Sequence, residues 1–246
     1  MRNLDLLTSV NFSSLTMSVD VTSIRIVLAL LMLGIASYTD IKKREIDDRI
    51  WMIFGGLAAL LLFFTPNVLD SLTTIGISLI IAPVVLFVWR IGFFGGADAF
   101  ALIVLAALAP ESTFSISQVH PFTTLINAVL LSIIPVLANV TRNIFSVLRH
   151  EDIFRGFGTE TRKSKIIAMF IGYRSKNPKF SFSIERRDGN LRKLDFTLKN
   201  ADTEEFCSSS DTWVTPGIPY MIYIFGGFVI QLVYGDVLFN IIKMFH

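Results

Sequence analysis

Residues 21–49 read VTSIRIVLALLMLGIASYTDIKKREIDDR. The first part, Val21–Thr39, is almost wholly apolar. At about 1.5 Å of rise per residue, a helix of that length nearly crosses a hydrocarbon layer ~30 Å thick. The run ends on a carboxylate, Asp40, and then on the cations Lys42, Lys43, Arg44 and Arg49. An apolar stretch closed by a cationic loop is the signature of a membrane span whose end is cytoplasmic. A cleaved signal peptide is disfavoured, because Arg25 lies inside the apolar stretch and a long polar lead, 1–20, precedes it.

Moving outward from that stretch, five further apolar segments follow: Ile50–Thr65, Ser71–Trp89, Ala97–Ala109, Pro121–Phe145 and Pro216–Lys243. The expected fold is therefore an α-helical polytopic membrane protein with six transmembrane helices. The second and fourth segments are short for a full span, and a short apolar run also suits a buried or re-entrant helix. Arg90 follows the third segment, and a basic stretch follows the fifth. The connections Pro66–Asp70 and Pro110–His120 contain no Lys or Arg. That alternation places both termini outside and residues 146–215 in the cytoplasm.

Composition agrees. Of the 246 residues, 52% are hydrophobic and 17% charged, against about 25% charged in soluble domains. A net charge of +2 is too mild for a nucleic-acid partner, and a single cysteine, Cys207, excludes an internal disulfide framework and any multi-cysteine metal site. Residues 146–212 hold 13 of the 22 Lys+Arg and 10 of the 20 Asp+Glu. The expected division is an extracytoplasmic lead (1–20), a membrane domain of five spans (21–145), a small mainly-β cytoplasmic domain (146–215) and a sixth span (216–243).

Within the cytoplasmic segment, Phe180, Phe182 and Ile184 alternate with polar residues, the period of a half-buried strand. Leu194, Phe196 and Leu198 repeat the pattern after Asp188-Gly189, a strong short hairpin signal. Ile166–Ile171 either adds a third strand or lies on the membrane surface beside Arg162, Lys163 and Lys165.

Ionisable groups in a bilayer are costly, so each one needs a reason. Asp40 falls at the cytoplasmic interface. Asp98, in Gly92-Phe93-Phe94-Gly95-Gly96-Ala97-Asp98, is flanked by glycines and apolar residues. Counting back from Pro110 at about 1.5 Å per residue puts Asp98 roughly 10 Å inside the cytoplasmic boundary. It needs a wet cavity or a proton there, and it also suits a helix N-terminus preceded by a glycine turn. Two neighbouring carboxylates that share a proton can split the work of peptide hydrolysis: one takes a proton from water, the other donates to the carbonyl oxygen. Such chemistry needs no metal or cofactor, and none is expected. Arg25 and Asp236 are expected to pair near the outer face, Arg142 to snorkel to the cytoplasmic face, and His120 to sit in an outer loop. Gly92 and Gly96 form a GxxxG pair, which also reads as a helix-packing feature.

Gly95-Gly96-Ala97-Asp98 resembles the GxGD-type signature of polytopic aspartyl proteases, with Ala97 replacing the second glycine. Asp40, followed by Ile46 and Asp48, is similar to the other aspartate motif of type IV prepilin and archaeal preflagellin peptidases, with Asp47 standing where bacterial members usually carry proline. The absence of a cysteine-paired N-terminal loop and the domain before Thr215-Pro216-Gly217-Ile218-Pro219 look like the archaeal branch. The resemblance implies Asp40 and Asp98 as catalytic carboxylates, Gly95, Gly96 and Ala97 as their backbone support, and precursors of preflagellin or prepilin type as partners within the lipid bilayer. Substrate leaders in this family are basic, so Glu45, Asp47 and Asp48 become candidate electrostatic guides. The alternatives are a presenilin-type intramembrane protease, for which the PAL motif is missing, a transporter with membrane carboxylates, and a non-enzymatic assembly scaffold.

Overall fold

The computed structural model describes residues 21–110, 120–188, 191–197 and 204–245. The 1–20 lead, most of the Pro110–His120 connection and Leu198 lie outside them. All six apolar segments are helical. Helix α1 (Val21–Lys43) is continuous. Helix α2 (Arg49–Leu61) tightens into a 3-10 turn at Leu62–Phe64. Two of the longer segments are each interrupted: α3 (Val68–Ser78) then α4 (Ile81–Arg90), and α6 (His120–Leu131) then α7 (Ile133–Leu148). Prolines explain both breaks. Pro83 and Pro135 lack the N–H that would bond the carbonyls of Leu79 and Leu131, and each ring crowds the preceding turn.

Three of these helical stretches, Val21–Lys43, Val68–Arg90 and Phe122–Leu148, are long and apolar enough to cross a membrane. A fourth follows if α9 (Tyr220–Tyr234) and α10 (Val237–Met244), bent by 52° at Gly235, count as one. The sixth segment thus starts at Tyr220 rather than Pro216, because Pro216 closes a strand. His120 opens α6 instead of lying in a loop.

Helix α5 (Gly96–Leu108) is short because it is central. Asp98, Ala99, Ala101, Leu102, Leu105 and Ala106 are all buried, and its neighbours are α1, α2, α3, α4, α6 and α9. Alanines along it let those helices approach closely, and a helix sheathed by others need not span the lipid alone. The α6–α9 crossing is equally close. A Cβ on Gly227 would lie 2.6 Å from the Thr124 carbonyl oxygen, so only glycine fits there.

Polar groups bind these helices where water is scarce. Thr124 bonds Gln231, and Thr123 Oγ1 donates to Asp236 Oδ2 at 3.5 Å. Asn127 Nδ2 donates to the Gly235 carbonyl at 3.0 Å, while Asn127 Oδ1 accepts from the Val237 amide at 3.2 Å. The backbone freed by the α9–α10 break is thereby satisfied inside the protein, as a break at membrane depth requires. The expected Arg25–Asp236 pair does not form. Asp236 caps α10 by accepting from the Phe239 amide (2.8 Å), and Arg25 Nη1 reaches the carbonyls of Ala107 and Leu108 at the end of α5. Cationic side chains suit a helix C-terminus, where they complement the dipole and the last carbonyls.

The segment after α7 carries a small β region and one helix, α8 (Arg162–Ile171), capped by Thr161 Oγ1 accepting from the Ser164 amide. The strand reading of Ile166–Ile171 is therefore corrected to helix. Five short strands follow: β1 (Tyr173–Ser175), β2 (Ser181–Ser183), β3 (Glu185–Asp188), β4 (Leu191–Leu194) and β5 (Thr212–Pro216). One antiparallel sheet has the order β1-β5-β2, and β3–β4 form the hairpin expected at Asp188-Gly189. Its second strand ends at Leu194, since Asp195 Oδ1 accepts from the Thr197 amide and turns the chain. The alternation around Phe180 is also corrected. Ser181 is buried, whereas Phe180 is exposed in the left-handed region (φ 48°). Trp213, Phe157, Ala168, Ile153 and Ile184 make a separate core, with Trp213 Nε1 donating to the Ile153 carbonyl at 2.9 Å.

Candidate active site

Asp40 sits in the last turn of α1, half-buried. Its Oδ2 accepts from the Met221 amide, in the first turn of α9, at 3.3 Å. One turn back, Ser37 Oγ donates to the Met221 carbonyl at 3.1 Å. Both backbone groups of the fully buried Met221 are thus held by α1. The helix ends immediately afterwards because Arg44 adopts a left-handed conformation (φ 59°), with its amide bonding the Asp40 carbonyl at 2.9 Å. Arg44 Nη1 then donates to the Gly217 carbonyl at 2.8 Å, and its guanidinium lies 5.4 Å from the Phe180 ring centre. The same residue that stops α1 therefore joins it to the strand-to-helix connection before α9.

Asp98 is buried in the first turn of α5. Gly95 is the N-cap, and Asp98 Oδ2 accepts from the Gly95 amide at 3.2 Å. This is the acidic half of a capping box; the glycine has no side chain to complete the other half. The glycines have separate reasons. Gly92 lies at φ 83°, which favours glycine. At Gly96 a Cβ would stand 3.1 Å from the Trp89 ring. Gly92 falls between α4 and α5, so it forms no helix-packing pair with Gly96.

Asp40 and the loop leading to Asp98 both meet the first turn of α9. Phe94, in the loop leading to Asp98, stacks on Tyr220 with ring centres 6.0 Å apart and planes 7° from parallel. Met221, the chain neighbour of Tyr220, bonds Asp40. Among the residues flagged by sequence, Asp40, Gly95, Gly96, Ala97 and Asp98 gather here. Glu45, Asp47 and Asp48 are exposed on the α1–α2 connection, where Asp47 Oδ1 accepts from the Arg49 amide at 2.9 Å. Sequence reasoning missed Ser37, Tyr220 and Met221. The available signal was Pro219 directly before an apolar run, a helix-start pattern.

A half-buried and a buried carboxylate at the ends of apolar helices mark the candidate site of a membrane protein. Residues 27–137 match the model of the Type IV leader peptidase family, and residues 175–237 that of the Archaeal Peptidase A24 C-terminus Type II. The chain is 27% identical to the preflagellin peptidase of Methanocaldococcus jannaschii, covering 89% of this chain and 97% of the relative. It is 29% identical to that of Methanococcus maripaludis, covering 87% and 96%, and 26% identical to that of Methanococcus voltae, covering 87% and 97%. The chain is thus similar to the type IV leader peptidase family, and these matches support a protease that removes leader peptides.

Proposed function

We propose that the protein cuts the short basic leader from preflagellin- or pilin-type precursors at the cytoplasmic membrane boundary, with Asp40 and Asp98 as an aspartate dyad. The observation that supports this reading is that Asp40 and the loop leading to Asp98 both meet the first turn of α9. In the proposed chemistry one carboxylate takes a proton from water as the water attacks the scissile carbonyl. The other donates its proton to the developing oxyanion, and the proton is returned to the leaving amine when the C–N bond breaks. Gly95, Gly96 and Ala97 shape the backbone that aims Asp98.

In this reading all six helical segments lie in the membrane, with α2 and α5 as the short members. Both termini face outside and residues 146–215 face the cytoplasm. The preflagellin peptidase names of the relatives support the substrate class. Glu45, Asp47 and Asp48 would then meet a cationic leader in water, where charge guides encounter more than it adds affinity. Purified protein in detergent, incubated with precursors bearing basic leaders, should release the leader at one bond identified by mass spectrometry. Asp40→Asn and Asp98→Asn should abolish release. Normal cutting by either variant would remove that residue from the dyad.

A further inference from the structure

Helix α7 is packed inside out. Ile134, Leu137, Ile144, Phe145 and Leu148 are exposed, while Asn139 and Asn143 are buried. The two asparagines lie one turn apart and face α8. Asn139 Nδ2 donates to the Phe170 carbonyl at 3.3 Å, and Asn143 Nδ2 donates to the carbonyls of Met169 (2.9 Å) and Gly172 (2.7 Å). These are carbonyls at the C-terminal end of α8, which every helix leaves without an internal partner. In water they would be hydrated and need no side chain. At a depth where water is scarce, each must be met by protein. Amide donors on the buried side of α7, whose exposed side is largely apolar, therefore place the end of α8 at the edge of the hydrocarbon.

The rest of α8 fits that depth. One face buries Ala168 against the core around Trp213. The opposite face exposes Arg162 and Lys163 in the first turn, then Ile166, Ile167 and Phe170 further along. Lys165 is turned elsewhere, over the Phe154 ring at 5.6 Å. A single exposed face thus runs from cationic to apolar toward the end that the asparagines hold. Beside that end, the Arg142 guanidinium stacks 3.7 Å from the Tyr173 ring centre, a pairing of amphipathic side chains suited to the headgroup level.

We propose that α8 is an interfacial helix, which seats Ile166, Ile167 and Phe170 among acyl chains beside α7 and binds anionic lipid phosphates through Arg162 and Lys163. The occupant follows from charge complementarity and from the continuity of its apolar face with that of α7. Lipid contact would fix the height of the β region above the bilayer, and with it β5, which leads into the first turn of α9.

The test uses the full chain carrying Cys207→Ser and Ile167→Cys. An exposed position is changed, so packing is preserved. The new thiol carries an environment-sensitive fluorophore, and the protein is reconstituted into phosphatidylcholine vesicles with or without phosphatidylglycerol. Nitroxide on the lipid acyl chains should quench the probe, aqueous iodide should not, and phosphatidylglycerol should deepen the nitroxide quenching. Adding Arg162→Glu and Lys163→Glu should erase the response to phosphatidylglycerol. Quenching by iodide without quenching by nitroxide would overturn the proposal. Nitroxide quenching that ignores both lipid charge and the charge reversals would overturn its anionic-lipid part.

Discussion

The helical body and the β region are built by the same physics with opposite results. In the body, Phe63 and Val233 stand more than four-fifths exposed while Asn127 and Gln231 are buried. In the β region, Trp213 and Phe157 are buried, and charges pair near the surface, as where the largely covered Arg174 meets the exposed Asp211 at 2.6 Å. Apolar atoms leave water in both places. Where the surroundings are lipid, an exposed Phe costs nothing and the interior is free to hold small and polar groups that lock helices by hydrogen bonds. Where they are water, burial of aromatics supplies the stability, and a covered carboxylate such as Glu185 is paired, here with Arg192 at 2.6 Å.

The comparison breaks most easily at two carboxylates. Asp98→Asn should lower leader cleavage about 10²- to 10⁴-fold, the usual size of a lost acid–base group, with little change in thermal unfolding in detergent. Asp211→Asn should leave cleavage unchanged. Equal losses would mean that the β region takes part in the chemistry. A second test concerns stability. Trp213→Ala removes the largest buried side chain of the β region and should cost about 3–5 kcal/mol, read as early loss of its near-ultraviolet signal while helix content persists. If helix content falls at the same temperature, the two regions unfold as one unit.

The polar lock in the body predicts a smaller effect. Asn127→Leu leaves the Gly235 carbonyl and the Val237 amide without their partner. Two unmet groups at that depth should cost about 1–3 kcal/mol each, measured as a shift in chemical denaturation in detergent. A neutral or stabilising result would show that the break between α9 and α10 is open to water. The smallest effect belongs to the surface pair. The Arg174 guanidinium holds Asp211 below the usual carboxylate range. Because the folded value is depressed, its contribution is present above the unfolded carboxylate value of about 3.9 and fades as pH falls through the folded one. Acid titration should therefore loosen the β1–β5 edge, and Asp211→Asn should flatten that part of the profile.

Local signals made much of this legible. Hydropathy located all six helical segments, and the short second and fourth segments correspond to α2 and α5. Asp188-Gly189 gave the hairpin because turn chemistry is local. The misses were of another kind. Ile166–Ile171 is apolar over a length that suits either strand or helix, and Thr161 capping with the α7 asparagines decides for helix. β5, the central strand, escaped notice although Thr212-Trp213-Val214-Thr215 is rich in β-branched and aromatic residues. Its place depends on two partners far off in the chain. Arg25 found carbonyls at the end of α5 rather than the expected carboxylate, which no flanking residue announces.

By itself, the sequence determined the membrane class, the number of apolar segments and the positions of Asp40 and Asp98 along their helices. Those follow from length, composition and rise per residue, which are properties of one stretch at a time. Tertiary structure alone decided that α5 is the central helix and that one turn of α9 receives both Asp40 and Phe94, from the loop leading to Asp98. Asp40 and Met221 lie 181 residues apart. Their contact arises from the packing of α1 on α9, because a carboxylate and a backbone amide so far apart in the chain meet only where helix packing brings them together.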